Sequence, residues 1–441
     1  MYTALIILYA IIFLYLCYKN IKWAVLLVIF TLPVYQIRFQ LAGLPLTLLE
    51  AEILILFIIF LIQKSGRILK VKQWSNEVIQ KKWFHCFIVS LFLFLLASTL
   101  SVFVSPNLRV AAGLWKAYFI EPILFLIVFV SIIKKQDIKD IFKILTIQVL
   151  LLALFAIYQK FTGAFISNDF WAAGATRRVT SVFGYPNALA LYLAPIIILL
   201  IGWLTRRIWN LEFGIWNFFV SCFLFLVTCA AIAAVYFTKS KGALLAILAG
   251  IIFYAIFYKN KRKIFFSILI IAILLSCYLV FSGNLNLKGS ATVEGGDSIS
   301  TRFEMWSETF SMLKNKPLLG AGLAGYQQSV ARYHTKDYIE IYLYPHNIIL
   351  NFWTEIGLLG LIAFILIIIW FYRIGFKFVE TRRGASLQEI NVILMAAMIA
   401  LLTHGLVDVP YFKNDLAVLF WVIVGMMIIS TNYKSDTNIQ I

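Results

Sequence analysis

The chain has 441 residues, 62% of them hydrophobic and 13% charged, with a mean hydropathy of +0.92 and a formal net charge of +18. Soluble domains are typically about 45–50% apolar, so this composition excludes a soluble globular protein. The basic residues fall in short loops between apolar runs, where they orient helices and meet anionic head groups, which argues against a nucleic-acid partner.

Apolar runs of membrane-spanning length recur along the chain without period-2 alternation. Backbone groups in lipid must be satisfied internally, so the runs read as helices and the fold class as an all-α polytopic integral membrane protein. The predicted spans are approximately 2–18, 23–37, 44–62, 84–104, 111–132, 139–158, 183–203, 215–237, 242–258, 264–282, 346–372, 390–406 and 413–430. That is about 12–13 transmembrane helices, the lower number applying if the second, short and interrupted by Pro33, does not cross. The first run lacks a basic leader and a small-residue cleavage site, so it reads as a retained span. The basic loops at 64–82, 134–143, 206–207, 259–263 and 373–383 fall on one side if the spans alternate, and the positive-inside rule makes that side cytoplasmic.

Three regions follow. Residues 1–282 form an N-terminal bundle of about ten spans, 283–345 a large extracytoplasmic loop, and 346–441 the C-terminal helices with a short cytoplasmic tail. The loop is far longer than a median connection of about 4–6 residues, a length that marks function or disorder. Its first part is polar and glycine-bearing. Its second part, "STRFEMWSETFSMLKNKPLLGAGLAGY", opens on a Ser-Thr cap signal and predicts an amphipathic helix over about 301–313, ending before Pro317 and a glycine-rich turn.

The outward ends of other spans carry cations where the positive-inside rule disfavours them: Arg177 and Arg178 before the seventh span, Lys239 and Lys241 between the eighth and ninth. Several cations around one vestibule call for an anionic partner. "YPHNIILNFWTEIGLLG" then places His346, Asn347 and Glu355 in an otherwise apolar segment.

These stretches resemble the O-antigen ligase and polymerase superfamily. His346-Asn347, nine residues, Gly357, two residues and Gly360 are similar to its His-Asn/Ser-x9-Gly-x-x-Gly signature. "RVTSVFGYPN" (178–187) resembles its Arg-x-x-Gly/Ser-x-Phe-x-x-Pro-Asn element, and "RFEMWSETFSMLKNKPLLGAGLAGY" (302–326) its Arg-x-x-x-Trp…Pro-x-x-Gly-x-Gly element. "TKSKGALLA" (238–246) matches Thr-x-Ser-Arg-Gly except that Lys241 replaces the arginine. The resemblance implies a metal-independent, inverting glycosyltransferase of the bacterial cytoplasmic membrane, active at its outer face and needing no cofactor. It also implies an undecaprenyl-diphosphate-linked glycan as donor and a hydroxyl of lipid A core or of a lipid-linked glycan as acceptor. Ligase and polymerase share these motifs.

Chemistry gives the residues roles. A sugar hydroxyl is a weak nucleophile near neutral pH, and His346 is the candidate base. The leaving diphosphate concentrates negative charge, which Arg302, Lys241 and Arg178 are placed to neutralise. Asn347 either caps a helix or meets substrate. Glu355, inside a span, reads as the buried partner of an arginine or as a substrate contact. Trp306, one turn from Arg302, either packs the loop or stacks on sugar, and Arg177 is a further substrate contact or an interfacial anchor. Gly320 and Gly322 read as turn glycines.

Other residues rank lower. His334 reads as solvated, and His404 and Asp408 as supporting groups or an interface cluster. Glu50 and Glu52, two apart, diverge on a helix and do not form a joint metal site. Cys17, Cys86, Cys222, Cys229 and Cys277 lie in apolar segments without a C-x-x-C pair, which reads as buried packing with neither disulfide nor metal. The competing class is a flippase or transporter of lipid-linked oligosaccharide, but the mid-membrane broken-helix repeats common in transporters are not found in the sequence.

Overall fold

The computed structural model describes residues 2–41, 43–64, 78–174, 176–209, 215–257, 298–335, 340–380 and 385–431. The predicted tenth span, the first part of the long loop and most of the 64–82 loop lie outside the described residues. Among the described residues, seven helices are long and apolar enough to cross a membrane, and four more are apolar but shorter. The chain is a helical integral membrane protein.

Helices α1 (Tyr2–Lys19) and α2 (Ile21–Phe30) meet at Asn20, whose side chain accepts the Trp23 N–H. Lys22 pairs there with Asp137 at 2.6 Å and Asp140 at 2.9 Å, and Gln63 Nε2 donates to Tyr18 O at 3.0 Å. The α1–α2 turn, the end of α3 (Leu48–Lys64) and the loop before α7 (Ile138–Thr162) therefore share the basic-loop face. After α2 the chain continues through a 3-10 turn, Leu32–Gln36, with Pro33 at its start, so the second segment reaches the opposite face as two stacked pieces.

The third predicted span starts too early. Residues before Leu48 form a hairpin, β1 (Arg38–Leu41) and β2 (Leu44–Thr47), with Arg38 opposite Thr47. Gly43 and Pro45 explain the difference. Gly43 supplies a positive φ of 78° in the turn, and proline removes a helical donor from what composition alone renders as one apolar run. In α3 the two acids diverge as expected: Glu50 accepts from Thr47 N and Lys116, while Glu52 accepts from Tyr9 and Thr31.

Helix α4 (Val78–Val104) leads to α5 (Leu108–Trp115), which passes through a π segment, Lys116–Ile120, into α6 (Glu121–Ile132). After α7 come the short α8 (Asp169–Ala172), α9 (Pro186–Trp209), α10 (Ile215–Phe237) and α11 (Lys241–Phe257). The segment before α14 holds α12 (Ser298–Asn315) and α13 (Tyr326–Val330); α14 (Ile348–Glu380), α15 (Ala385–Gly405) and α16 (Asn414–Thr431) complete the described bundle. Helix α12 begins three residues before the predicted start, so the Ser-Thr pair lies inside its first turn.

Every residue of α16 from Asp415 to Thr431 is buried, between α6, α14 and α15. Helix α15 in turn packs on α9 and α11. Small residues permit the approach, as expected where lipid offers no hydrophobic drive between helices. Gly202 lies under Ile393, Gly250 under Ile198 and the Ala396 carbonyl, and Gly425 under Phe129. Of the described cysteines only Cys17 is buried. Cys222 is half-buried, Cys86 and Cys229 face outward from the bundle, and Cys277 lies outside the described residues.

Helix α14 is broken. Ile356 (φ −126°, ψ 16°) and Gly357 (φ 72°, ψ 179°) leave helical geometry, and the 317–325 turn fills the gap. Leu358 N donates to Leu318 O at 2.9 Å, Ala321 N to Thr354 O at 2.7 Å, and Trp353 Nε1 to Pro317 O at 2.6 Å. Glu355 Oε2 accepts the Ala324 N–H at 2.8 Å. A Cβ on Gly320 would strike the Trp353 and Thr354 carbonyls, and one on Gly357 would strike the Leu318 carbonyl. These glycines are thus contact points between two segments, a stricter demand than a turn makes.

Candidate functional site

The ends of α9, α10, α11, α12, α14 and α15 away from the basic-loop face converge on residues 404–408, between α15 and α16. His346 stands just ahead of α14 with φ 47°, left-handed backbone that a side chain adopts at a cost. Ser181 (φ 51°), Lys239 (φ 56°) and Ala324 (φ 59°) share that conformation, so each of the four resemblance elements carries or adjoins a strained residue. Strain persists only where surroundings over-determine it.

The surroundings of His346 do so. Its Nδ1 lies 3.3 Å from Asp408 Oδ1, and its ring meets Tyr344 and Tyr342 edge to face at 4.8 and 5.4 Å between centroids. Burial alone would push the Asp408 carboxyl up. The His346 hydrogen bond, the His346 and His404 charges and the Val409 N–H together hold it below the ordinary carboxylate range. Asp408 is therefore an ionised acceptor, so Nδ1 of His346 carries the shared hydrogen, and in the neutral form of the imidazole the lone pair lies on Nε2.

The other Asp408 oxygen accepts from Asn187 Nδ2 at 3.5 Å, and Asn187 Oδ1 accepts from Arg178 at 3.0 Å. Arg178 Nε also donates to Thr238 O at 2.8 Å, in the turn before Lys241. Burial lowers the Arg178 pKa, though it remains a cation at any physiological pH. Lys241, exposed, opens α11, and Gly242 beside it lies under Val407 and His404. Arg302 Nε donates to Val407 O at 3.1 Å. The three predicted cations thus ring the 404–408 turn, with His346 attached through Asp408.

The remaining predicted residues have structural partners. Asn347 Oδ1 caps α14 by accepting from Ile349 N and Leu350 N, while its Nδ2 donates to Leu406 O. Trp306 Nε1 donates to Pro345 O at 2.9 Å and so holds the residue before His346. Arg177 spends Nε on Ala172 O and NH1 on Lys160 O, closing the C-terminal end of α7; its guanidinium is an anchor. Glu355 meets a backbone N–H where an arginine was expected, because the Gly357 break brings the 317–325 turn, and not a side chain, against it. His334 is not solvated: its Nδ1 is 3.1 Å from Glu308 and its side chain 12% exposed, since the segment after α13 folds back on α12.

Asp408 and Asn187 carry more of this site than the sequence reading granted them. The Pro-Asn end of "RVTSVFGYPN" and the lone acid in "HGLVDVPYF" were the available signals. Among the described residues, no three His, Cys, Asp or Glu side chains are gathered as a metal set.

Residues 223–365 match the family model described as O-antigen ligase. The matched stretch contains Lys241, Arg302, Trp306, His346, Asn347 and Glu355; Arg178, Asn187 and Asp408 lie outside it and join the site through the fold. No curated protein matches the chain. Over that stretch, about a third of the chain, the protein is similar to the O-antigen ligase family.

Proposed function

We propose that this protein is a membrane glycosyltransferase that moves a glycan from undecaprenyl diphosphate to a sugar hydroxyl at the outer face of the cytoplasmic membrane. The observation that carries the reading is the continuous chain His346–Asp408–Asn187–Arg178, which ties a candidate base to a candidate phosphate ligand.

In this reading Nε2 of His346 takes the proton of the acceptor hydroxyl as its oxygen attacks the anomeric carbon. The bond from that carbon to the diphosphate breaks, and its electron pair leaves with the diphosphate. Attack opposite the leaving group inverts the anomeric centre. Arg178, Lys241 and Arg302 neutralise the charge that develops, a task fixed cations perform in a low-dielectric site without a metal. Asp408 keeps the imidazole in the tautomer that exposes Nε2 and stabilises the imidazolium once formed.

The acceptor is lipid A core in a ligase and a second lipid-linked glycan in a polymerase. Deletion of the protein followed by gel analysis of surface glycan separates them. Single repeats without long chains mean a polymerase, and intact polymer left on its lipid carrier means a ligase. Loss of surface glycan together with lipid-linked repeats retained at the inner face would instead mean a transporter.

A further inference from the structure

A second set of cationic and aromatic groups, which the transfer step does not use, reaches His346 through Tyr344. Lys413, half-buried just before α16, holds its ammonium 3.9 Å from the centroid of the Tyr185 ring. The Tyr185 hydroxyl lies 3.1 Å from that of Tyr344, whose ring stands edge to face against His346. Arg38, exposed on the β1–β2 hairpin, is near enough for its charge to act on Lys413.

Neither cation makes an ion pair or a side-chain hydrogen bond among the described residues. The contrast with Lys116 is direct, since that lysine lies 3.2 Å from Glu50 and 3.7 Å from Glu121. The nearest acids are otherwise placed: Asp408 is held by His346, Asn187 and the Val409 N–H, and Asp415 acts on Lys413 only at a distance. With no carboxylate in contact among the described residues, the Lys413 ammonium against the Tyr185 ring leaves a place for a ligand anion. The tyrosine faces beside them suit a sugar ring.

We propose that Lys413 and Arg38, with Tyr185 and Tyr344, form an acceptor subsite that binds an anionic sugar, through its phosphate or carboxylate, beside His346. The proposal rests on the transferase reading and adds the charge of the acceptor to it. It assigns the donor diphosphate to Arg178, Lys241 and Arg302 and the acceptor anion to Lys413.

Binding can be read without turnover. The full chain in lipid nanodiscs is treated with an amine-acylating reagent, and modification of Lys413 is measured by peptide mass spectrometry in the presence of glucose 6-phosphate, glucuronate or glucose. Protection by glucose 6-phosphate or glucuronate but not glucose is expected, in wild type and in His346→Ala alike, and the two probes distinguish phosphate from carboxylate. Equal modification with all three overturns the subsite whether or not the protein transfers glycan.

Turnover supplies the second reading. With a phosphorylated acceptor oligosaccharide and its dephosphorylated twin, wild type should favour the phosphorylated form. Lys413→Gln should raise KM for it about tenfold and pull the ratio of kcat/KM for the two twins towards one, while Lys413→Arg keeps the preference. A Lys413→Gln effect on the donor KM alone, or an equal effect on both twins, overturns the assignment. Absence of transfer by wild type with both twins, alongside selective protection of Lys413, would reject the transferase reading and leave an anionic-sugar site standing.

Discussion

Asp408 and His346, 62 positions apart in the chain, are joined at 3.3 Å across the gap between α15 and the start of α14. If the pair works as base and orienting group, His346→Ala should lower kcat by about 10²–10⁴-fold while the protein still inserts. Asp408→Asn keeps the shape but allows the wrong tautomer, and should cost about 10²-fold or more. The double variant should be no slower than His346→Ala alone, because the carboxylate acts only through the imidazole. Additive losses in a purified transfer assay would separate the two residues.

Acid pH offers a second check on Asp408. Its pKa is lowered in the folded protein, so its contribution to stability is fully present above the unfolded value of about 3.9 and is lost as pH falls through the depressed folded value. The Tm difference between wild type and Asp408→Asn in detergent should therefore be steady above about pH 5 and shrink below about pH 4. A difference that grows on acidification would contradict an ionised, hydrogen-bonded carboxylate.

Lys241 stands where the family pattern has arginine. Lysine brings a point charge and arginine a planar fork, yet both neutralise phosphate. Lys241→Arg should keep most activity and Lys241→Ala lose roughly tenfold to a thousandfold, about 1.4–4 kcal/mol of transition-state stabilisation. An alanine variant as active as wild type would leave the diphosphate to Arg178 and Arg302.

The seam between the 317–325 turn and α14 can be tested by stability alone. Gly357→Ala forces a side chain into φ 72° and against the Leu318 carbonyl, and should cost about 2–3 kcal/mol, seen as a lower Tm. An alanine at Gly113, where a Cβ meets nothing within 4 Å, is the control and should move Tm little.

Sidedness is an expectation of the positive-inside rule that labelling can test. In a cysteine-free background, a cysteine at Leu343, 70% exposed, should react with an impermeant thiol reagent from outside. One at Lys143, whose side chain is 58% exposed beside Asp140 on the basic-loop face, should not. The reverse pattern would put His346 on the wrong side of the membrane for the proposed chemistry.

The helices were legible because lipid leaves the backbone little choice, and span length and apolar content report that constraint directly. The hairpin at 38–47 was not, since four-residue strands in an apolar context carry no composition signal apart from Gly43 and Pro45. His346, Arg302, Arg178 and Lys241 were legible as a spaced set. The roles of Asp408 and Asn187 depend on how α9 and α15 are rotated against each other, which no local pattern encodes. The hydrogen-bond partners of Arg177 and Glu355 were illegible for a related reason. Each is satisfied by backbone groups that become available only where a helix ends or breaks, at Lys160 O for the arginine and Ala324 N for the glutamate.

The broken α14 also sets a rule for building hybrids. The 317–325 turn closes the hydrogen-bonding vacancy left at Gly357, and the halves of that seam come from segments separated by the residues leading to His346. A graft of the outer loop between relatives that stops short of Gly357 would join a turn from one parent to a gap shaped by another. Exchange of α12 through α14 as one cassette keeps the seam in a single lineage, so recombinants that respect it should mature into full-length membrane protein where loop-only swaps are degraded.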